Sequence, residues 1–388
     1  MYLELGGGAT GGRHTQPGPM NQPVTTPSDP ATGPDEANPR VWLVTGYRAG
    51  ERSQILALAE ALGWPFELKT LSYRKSEFRT SLFRGSDLRG VRLQQSSELA
   101  PPWPDLVITA GMRNEPVGRW IRNQSGGRTR LVHIGRPWAA PDRFDLVITT
   151  PQYRLAAHQR VLQNAMPLNQ VTPERLAEQG QRLLPRVEHL PKPFTGVILG
   201  GNSGPYTLGP KNAARIARQA GRMAAQCNGS LLISTSARTS QAAIQAFQQQ
   251  LEVPHYLYRW QPDDDSNPYF GILALSDELV VTADSISMLG EACATGKPLY
   301  MADLGGYGYP MRPECPAEAD FRLSGLTYRW LMRFGPLRLS RDIRLVHRQL
   351  LAEGRAVWLG QPSQPPATGS LSDMQRAVSR VRALFAYS

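Results

Sequence analysis

The chain of 388 residues has few cysteines: Cys227, Cys293 and Cys315. Their spacing matches no zinc pattern, and three thiols make no disulfide framework. We therefore expect a reducing compartment, with Cys227 and Cys293 buried on helices. The sequence also lacks a run of about 18 apolar residues, so we expect no transmembrane helix. The first residues lack the charged, apolar and small-residue order of a secretory signal, and none is expected.

Acidic residues are in short supply. There are 32 Asp and Glu against 43 Lys and Arg, which gives a formal net charge of +11. A basic balance attracts nucleotides, sugar phosphates, nucleic acid or an acidic membrane surface. Charge alone also fits a solvated surface with no partner. No module that combines aromatic and basic residues is present, so nucleic acid is not an expected partner.

Large aliphatic residues are scarce before residue 40, and a stretch of this composition does not bury enough apolar surface to fold. Beyond it, short apolar runs alternate with helical patterns, stop in a proline-rich segment and begin again, which indicates parallel sheets. We predict an α/β protein with two doubly wound, Rossmann-like lobes that face a cleft. The predicted divisions are a disordered tail (1–39), an N-terminal lobe (40–165), an interdomain connection (166–193), a C-terminal lobe (194–365) and a C-terminal helix (366–388). The predicted strands cover 41–45, 66–71, 106–111, 131–135 and 146–150 in the first lobe, and 195–201, 230–235, 255–260, 278–282 and 298–301 in the second.

The strongest local signal is the segment 284–288, where polar residues begin a helix directly after a buried strand. The first N–H groups of a helix have no internal partner and attract anions. These groups and the hydroxyls of Ser285 and Ser287 are expected to bind a diphosphate. Glu291 follows Ser287 by one turn on the same face, where its carboxylate can accept hydrogen bonds from ribose hydroxyls. An ordinary N-cap is the alternative, above all for Asp284, whose charge would repel a diphosphate.

Two further turns of the second lobe follow predicted strands. The first contains the small and polar residues Gly200, Gly201, Asn202 and Ser203. Its glycines would let the backbone approach a phosphate or sugar, although a plain glycine-rich turn has the same composition. In the second turn, Arg238 could pair with a phosphate. The alternative there is an N-cap by Ser236 or Thr239 beside an exposed arginine.

Three strand ends of the first lobe each offer a glycine and an arginine, which predicts a basic wall of the cleft. The residues expected on this wall are Arg48, Gly50, Gln54, Arg113 and Arg136. A general base is expected on the same side, and spacing does not decide among Glu51, Glu115, Asp142 and His133. His133 lies in a buried strand, where a core histidine is the alternative.

Several stretches resemble the plant and bacterial mitochondrial-fission Elm family. They are 267–271, 280–288 and 291–298, supported by 50–54, 169–173, 199–201 and 235–239. The resemblance spans about residues 41–306 and is most specific over 284–297. Relatives often carry a His-Asp pair after the proline that follows the fifth strand, whereas here Pro151 precedes Gln152. Position 51 is also Glu where some relatives carry other polar residues, so the catalytic residue of the first lobe stays open.

The family in turn looks like GT-B glycosyltransferases, in which the second lobe binds a nucleotide-sugar and the first lobe binds the acceptor. The resemblance implies that Ser285, Ser287 and Met288 lie near the diphosphate and Glu291 near the ribose. It also implies that a helix over 374–385 crosses back to the first lobe. The full expected donor site is Gly200, Gly201, Asn202, Ser203, Arg238, Ser285, Ile286, Ser287, Met288 and Glu291.

The resemblance implies a glycosyltransferase whose substrate is a nucleotide-diphosphate sugar, with no tightly bound cofactor or metal. The acceptor would be a cell-envelope glycan or a lipid-linked sugar. An anionic membrane surface is a further expected partner, and the expected location is cytoplasmic, peripheral at the inner face of the membrane. The alternatives are a non-catalytic scaffold of the mitochondrial-fission type and a nucleotide-sugar epimerase.

Overall fold

The computed structural model describes residues 38–46, 48–74, 85–262, 264–305, 310–314, 320–337, 340–362 and 373–386. The residues from 38 onward belong to one compact unit. Apart from its last two positions, the tail predicted over 1–39 lies outside the described residues. The division of the chain into domains at the expected boundaries stays a prediction.

The first half of the described chain builds a parallel sheet with strand order β2-β1-β3-β4-β5-β6. Strands β1, β3 and β5 are buried along their whole length, as expected of a parallel sheet covered on both faces. Its strands are β1 Val41–Thr45, β2 Phe66–Thr70, β3 Leu106–Ala110, β4 Arg130–Ile134, β5 Leu146–Thr149 and β6 Val161–Gln163.

The second half builds another parallel sheet, with strand order β12-β11-β10-β7-β8-β9. Its strands are β7 Phe194–Ile198, β8 Ser230–Ser234, β9 His255–Tyr258, β10 Glu278–Thr282, β11 Leu299–Ala302 and β12 Val357–Trp358. The predicted α/β class with two doubly wound, Rossmann-like lobes is therefore confirmed.

Helices connect the strands and cover the faces of both sheets. Within the described residues they are α1 Ala49–Leu62, α2 Glu115–Gln124, α3 Pro173–Val187, α4 Pro210–Gln226, α5 Gln241–Gln248, α6 Tyr269–Leu275, α7 Ile286–Ala294, α8 Leu323–Phe334, α9 Arg344–Ala352 and α10 Asp373–Arg382. The segment expected to be a connection contributes α3, whose Leu183 and Val187 belong to the core of the second sheet.

The C-terminal helix α10 packs on the first lobe. Its Ala377 and Val381 share a buried cluster with Leu58 of α1. The Arg382 guanidinium donates to the carbonyl of Leu62 at 3.1 Å. The chain thus returns from the second sheet to the first, as the GT-B resemblance implies for this segment.

Strand order determines where each lobe can bind a ligand. In the first sheet, β2 and β3 lie on opposite sides of β1. In the second sheet, β8 and β10 lie on opposite sides of β7. Such switch points open a crevice at the carboxyl ends of the strands, where α/β proteins bind ligands. The residues that follow β1, β3, β7 and β10 are therefore the candidates for ligand contacts.

Some elements differ from the sequence-based expectation. The strands β6 and β12 were not predicted; they have three and two residues, too few to show a period. Cys293 is buried as predicted, whereas the prediction that Cys227 is buried was wrong. Cys227 follows the last residue of α4 and is exposed.

Candidate functional site

The turn after β7 is held by bonds inside the second lobe. The Gly200 N–H donates to Thr282 Oγ1 at 2.7 Å, and the Gly201 N–H donates to Asp284 Oδ2 at 3.1 Å. The carbonyl of Gly200 accepts from the Ser236 hydroxyl at 2.8 Å. We expected the backbone of these glycines to approach a phosphate, but both N–H groups already have partners.

The two glycines have a structural reason in the close packing of this turn. A Cβ atom built on Gly201 would lie 2.1 Å from the carbonyl oxygen of Arg238. One built on Gly200 would lie 2.5 Å from Asp284 Oδ1. Neither position has room for a side chain, so glycine is needed here whether or not a ligand binds.

Arg238 and Asp284 form an ion pair at the same switch point. Arg238 Nη1 lies 2.7 Å from Asp284 Oδ2, and it also donates to the Asn202 carbonyl at 3.3 Å. Asp284 is buried, whereas the Arg238 side chain is 40% exposed. The arginine expected at a phosphate therefore neutralises a buried carboxylate. Asp284 does not cap α7, since Ser285 is its N-cap residue.

The next two residues of the turn are also occupied. Asn202 Oδ1 accepts from the Leu208 N–H at 3.1 Å. Ser203 Oγ accepts from Arg341 Nη2 at 2.7 Å. Arg341 lies far along the sequence, so no local pattern around Ser203 could have revealed this contact.

The start of α7 retains the properties expected of an anion site. Ser285 makes no side-chain hydrogen bond into the helix it precedes. The N–H groups of a first helical turn point outward and attract negative charge. Ser287 is half-buried, and its Oγ would lie 3.5 Å from a Cβ atom built on Gly50 of the first lobe. The start of α7 therefore meets the start of α1 at the boundary between the lobes.

The apolar residues predicted in the donor site have a packing role. Ile286 is buried in the core of the second sheet, and Met288 packs against the same core while remaining half-buried. They anchor the first turn of α7 and fix where its N–H groups point.

Glu291 lies one turn further along α7, as the spacing predicted, and its neighbour is Tyr269 of α6. The Tyr269 hydroxyl donates to Glu291 Oε2. Burial raises the pKa of the Glu291 carboxyl to about 7, although the hydrogen bond from Tyr269 lowers it. Burial and the nearby Glu291 charge raise the pKa of Tyr269 well above its usual value. The sequence did not single out Tyr269 as a partner, because aromatic residues at such positions are most often core.

In the first lobe, the Glu51 carboxyl lies against the backbone of Gly111 at the end of β3. A Cβ atom built on Gly111 would lie 2.3 Å from the carboxyl carbon, and the φ angle of Gly111 is +78°. The positive φ angle favours glycine there, and the missing Cβ leaves room for the Glu51 carboxyl. The Glu51 side chain is 21% exposed and pairs with Arg48 at 3.2 Å.

Two opposing effects act on the pKa of the Glu51 carboxyl. Burial raises the pKa of the Glu51 carboxyl above its usual value, while Arg48, Arg113 and Arg341 lower it. An acid with a raised pKa at a strand end is a candidate for proton transfer. The basic wall predicted from Arg48 and Arg113 thus surrounds a carboxylate.

Glu115 and His133, two of the other three catalytic candidates, are fully buried. The Glu115 carboxylate accepts from the backbone N–H groups of Trp138 and Ala139. Burial raises the Glu115 pKa and lowers the pKa of His133 to about 3. His133 Nδ1 lies 2.8 Å from Thr109 Oγ1. A general base must reach its substrate, so both positions are structural and Glu51 is the one that lies at the cleft.

The remaining residues of the first-lobe wall make contacts that shape it. Gln54 Nε2 donates to the Gly50 carbonyl at 3.0 Å. Arg136 Nη1 donates to the carbonyl oxygens of Tyr153 at 2.6 Å and Leu337 at 2.9 Å. Arg136 therefore ties the first lobe to the segment that follows α8.

Within the described part of the chain, no group of three or more His, Cys, Asp or Glu side chains is placed to hold a metal ion. Among the same residues, no helix has both the length and the apolar character needed to cross a bilayer.

The chain is similar in sequence to proteins of two organisms. The uncharacterized protein RP120 of Rickettsia prowazekii (strain Madrid E) is 26% identical over 294 residues, which cover 67% of this chain and 82% of that protein. The mitochondrial fission protein ELM1 of Arabidopsis thaliana is 26% identical over 238 residues, which cover 56% of this chain and 55% of the plant protein. The similarity thus extends over about half the length of the plant protein.

Solved structures with a similar course of the chain include two bacterial proteins. The UDP-GlcNAc 2-epimerase from Neisseria meningitidis, bound to UDP-GlcNAc, has a TM-score of 0.45 at 12% identity and covers 89% of this chain and 100% of its own. MurG of Acinetobacter baumannii has a TM-score of 0.38 at 13% identity and covers 89% and 99%.

The family profile described as Mitochondrial fission ELM1 matches residues 49–312. This range contains β7, β10, α7 and the Glu51 position, and it extends over more than half of the chain. The protein therefore belongs to the mitochondrial fission ELM1 family.

Proposed function

We propose that the protein transfers a glycosyl group from a nucleotide-diphosphate sugar to an acceptor in the cleft between its two sheets. One observation carries the proposal. The starts of α1 and α7 meet where Gly50 approaches Ser287, and Glu51, the next residue of α1, has its carboxyl against Gly111 at the end of β3. A proton acceptor and an anion-binding helix start then face one reaction centre.

The start of α7 would hold the leaving diphosphate. Its N–H groups and the hydroxyls of Ser285 and Ser287 offer hydrogen bonds where negative charge develops as the sugar departs. The clamp formed by Arg238 and Asp284 fixes the turn beside it. In this proposal, the positive charge of Arg238 attracts the diphosphate from nearby, but the guanidinium does not form a bidentate ion pair with it.

Glu291 would hold the ribose. Its carboxylate can accept from ribose hydroxyls while the Tyr269 hydroxyl keeps it oriented. Because the pKa of Glu291 is raised to about 7, the carboxylate would be fully available only above neutral pH. Ribose binding should then strengthen as Glu291 ionises.

Glu51 would act as the general base. Its carboxylate takes the proton from the acceptor hydroxyl while the acceptor oxygen bonds to the sugar carbon. The bond from that carbon to the diphosphate oxygen breaks, and the nucleoside diphosphate leaves. A positioned base of this kind typically contributes about 10²–10⁴-fold to the rate.

Isothermal titration with UDP and GDP tests donor binding. We expect one of them to bind to the wild type and to bind at least about tenfold more weakly to Ser287→Asp, because one lost charge-assisted contact costs about 1.5–3 kcal/mol. The matched control is Ser240→Asp, which adds the same charge at the N-cap of α5. Ser240 accepts there from the Ala243 N–H, and aspartate caps a helix equally well.

No binding of UDP, GDP or any other nucleoside diphosphate by the folded protein would contradict the proposal and favour a scaffold. A product assay separates the remaining alternative. An epimerase would convert a nucleotide-sugar with no acceptor present, whereas a glycosyltransferase requires one.

A further inference from the structure

Helix α8 exposes an unusual number of large apolar side chains. Leu323, Leu326, Trp330 and Phe334 follow one another at spacings of three, four and four residues, which places them on one face of the helix. We call these four residues the apolar stripe. Their exposed fractions are 73%, 43%, 64% and 66%. Helices of globular proteins normally turn such a face toward the core.

Two residues that flank the helix, Phe321 and Leu337, are also exposed. The rings of Trp330 and Phe334 lie 6.1 Å apart. A contiguous apolar surface with polar edges marks an interaction site rather than scattered exposure.

The opposite face of α8 is fixed to the body of the protein. Arg322 Nη2 donates to the Gly204 carbonyl at 2.7 Å. A Cβ atom built on Gly325 would lie 3.4 Å from the Pro205 carbonyl oxygen. At the other end, Leu337 accepts from Arg136 of the first lobe at 2.9 Å. The helix is therefore mounted beside the cleft, and its apolar stripe points away from the protein.

The charge of this segment favours one occupant. Residues 321–341 contain five arginines and no aspartate or glutamate. In a symmetric pair of copies, two such basic segments would face each other, which disfavours self-association. Anionic lipid headgroups neutralise such a segment, and tryptophan and tyrosine prefer the interface of a bilayer.

We propose that α8 docks on an anionic lipid bilayer, with the apolar stripe inserted at the level of the headgroups and the exposed Arg333 bound to a lipid phosphate. An amphipathic helix with aromatic and aliphatic residues on one face and basic residues beside it binds membranes in this way. Docking here places the mouth of the cleft at the membrane surface. The inference does not depend on the proposed activity, because lipid binding needs no nucleotide.

Co-sedimentation of the full chain with vesicles tests the proposal. We expect binding to vesicles made of equal parts phosphatidylcholine and phosphatidylglycerol, much weaker binding to phosphatidylcholine alone, and release at high salt. Trp330→Ser combined with Phe334→Ser should lower the partition coefficient by about 100-fold, because each lost apolar side chain accounts for about tenfold. Arg333→Gln should lower it by about fivefold.

The matched control is Phe66→Ser combined with Leu93→Ser, two exposed apolar residues of the first lobe, and it should bind as the wild type does. Circular dichroism checks that each variant is folded. If the double variant in α8 does not fold, Leu323→Gln at the first and most exposed position of the helix replaces it. Two results would overturn the proposal: no binding of the wild type to the anionic vesicles, or equal binding by the stripe variant. A dimer that the stripe variant loses, without vesicle binding, would assign the face to a second copy instead.

Discussion

The two switch points use the same residue types in opposite ways. In the second lobe, the carboxylate of Asp284 is buried and bonded to Arg238 and to the Gly201 N–H. In the first lobe, the carboxylate of Glu51 is 21% exposed at the cleft and has a raised pKa. Both sites combine a glycine, an arginine and an acid.

This contrast separates an acid with a structural role from one that is available for chemistry. Asp284 is buried and its Oδ2 is bonded to groups of its own lobe, so it stabilises a turn. Glu51 is held partly desolvated among three arginines, which keeps its protonation state responsive to what binds nearby. Four substitutions test this contrast, beginning with the largest expected effect.

Replacing Glu51 should abolish most of the chemistry and little of the stability. We expect Glu51→Gln to lower kcat by about 10²–10⁴-fold, which corresponds to roughly 3–5 kcal/mol of barrier. Nucleoside-diphosphate affinity and the melting temperature should stay nearly unchanged, since glutamine keeps the shape without the desolvated charge. Steady-state kinetics and thermal unfolding measure the two effects. Full activity of the variant would remove Glu51 from the mechanism.

Gly201→Ala should instead lower the stability of the protein. The new Cβ would meet the Arg238 carbonyl oxygen at 2.1 Å, and because that atom belongs to the backbone, the turn must move. We expect a loss of about 3 kcal/mol in the free energy of unfolding. Urea denaturation measures it.

The control for that variant is Gly50→Ala, where the nearest atom, Ser287 Oγ, would be at an ordinary 3.5 Å. Gly50 lies in the first turn of α1, so alanine should stabilise slightly or leave stability unchanged. Equal losses at both positions would show that the second-lobe turn is not specially packed.

Glu291 gives a pH-dependent prediction. Its pKa is raised from 4.5 to about 7, so the folded state favours the protonated form. This contribution is complete below about pH 4.5 and is lost as the pH rises through about 7. Relative to Glu291→Gln, the wild type should therefore lose roughly 3 kcal/mol of unfolding free energy across that window. Urea denaturation at several pH values measures the difference, and parallel pH curves for both proteins would contradict the assigned burial of the charge.

The smallest effect is expected at Arg48. Its side chain is 56% exposed, so Arg48→Ala should change the free energy of unfolding by less than about 1 kcal/mol. Arg48 lowers the pKa of Glu51, and its removal should raise that pKa further. Since a general base must be deprotonated, the acidic limb of the pH–rate profile should move to higher pH. A limb that stays in place would indicate that Glu51 is not the group that titrates.

The hydrophobic periodicity was sufficient to predict the two sheets, because the long buried strands and the helices between them each show a clear local sequence pattern. Apolar runs such as Leu106–Ala110 and Phe194–Ile198 are typical of buried parallel strands. Helix α8 escaped prediction because its apolar residues face outward and it matches no family segment. Short strands such as Val357–Trp358 depend on their neighbours in the sheet rather than on local sequence.

The sequence predicts which loops the strand ends bring together, since ligand positions in parallel sheets follow from topology. It does not predict which side chains of those loops are paired. The contacts of Arg238 with Asp284 and of Arg341 with Ser203 join residues 46 and 138 positions apart. No spacing rule reveals such pairs, so the sequence could not show that Arg238 is already paired or that Glu51 lies among arginines.

A structure of the complex with UDP or GDP, whichever binds, tests the central claim most directly. The diphosphate should lie at the start of α7 within hydrogen-bond distance of Ser285 and Ser287, with the ribose at Glu291 and the Glu51 carboxylate facing the terminal phosphate. The clamp of Arg238 and Asp284 should be unchanged. A diphosphate bound elsewhere, or bound to Gly200 and Gly201 with Arg238 displaced from Asp284, would contradict it.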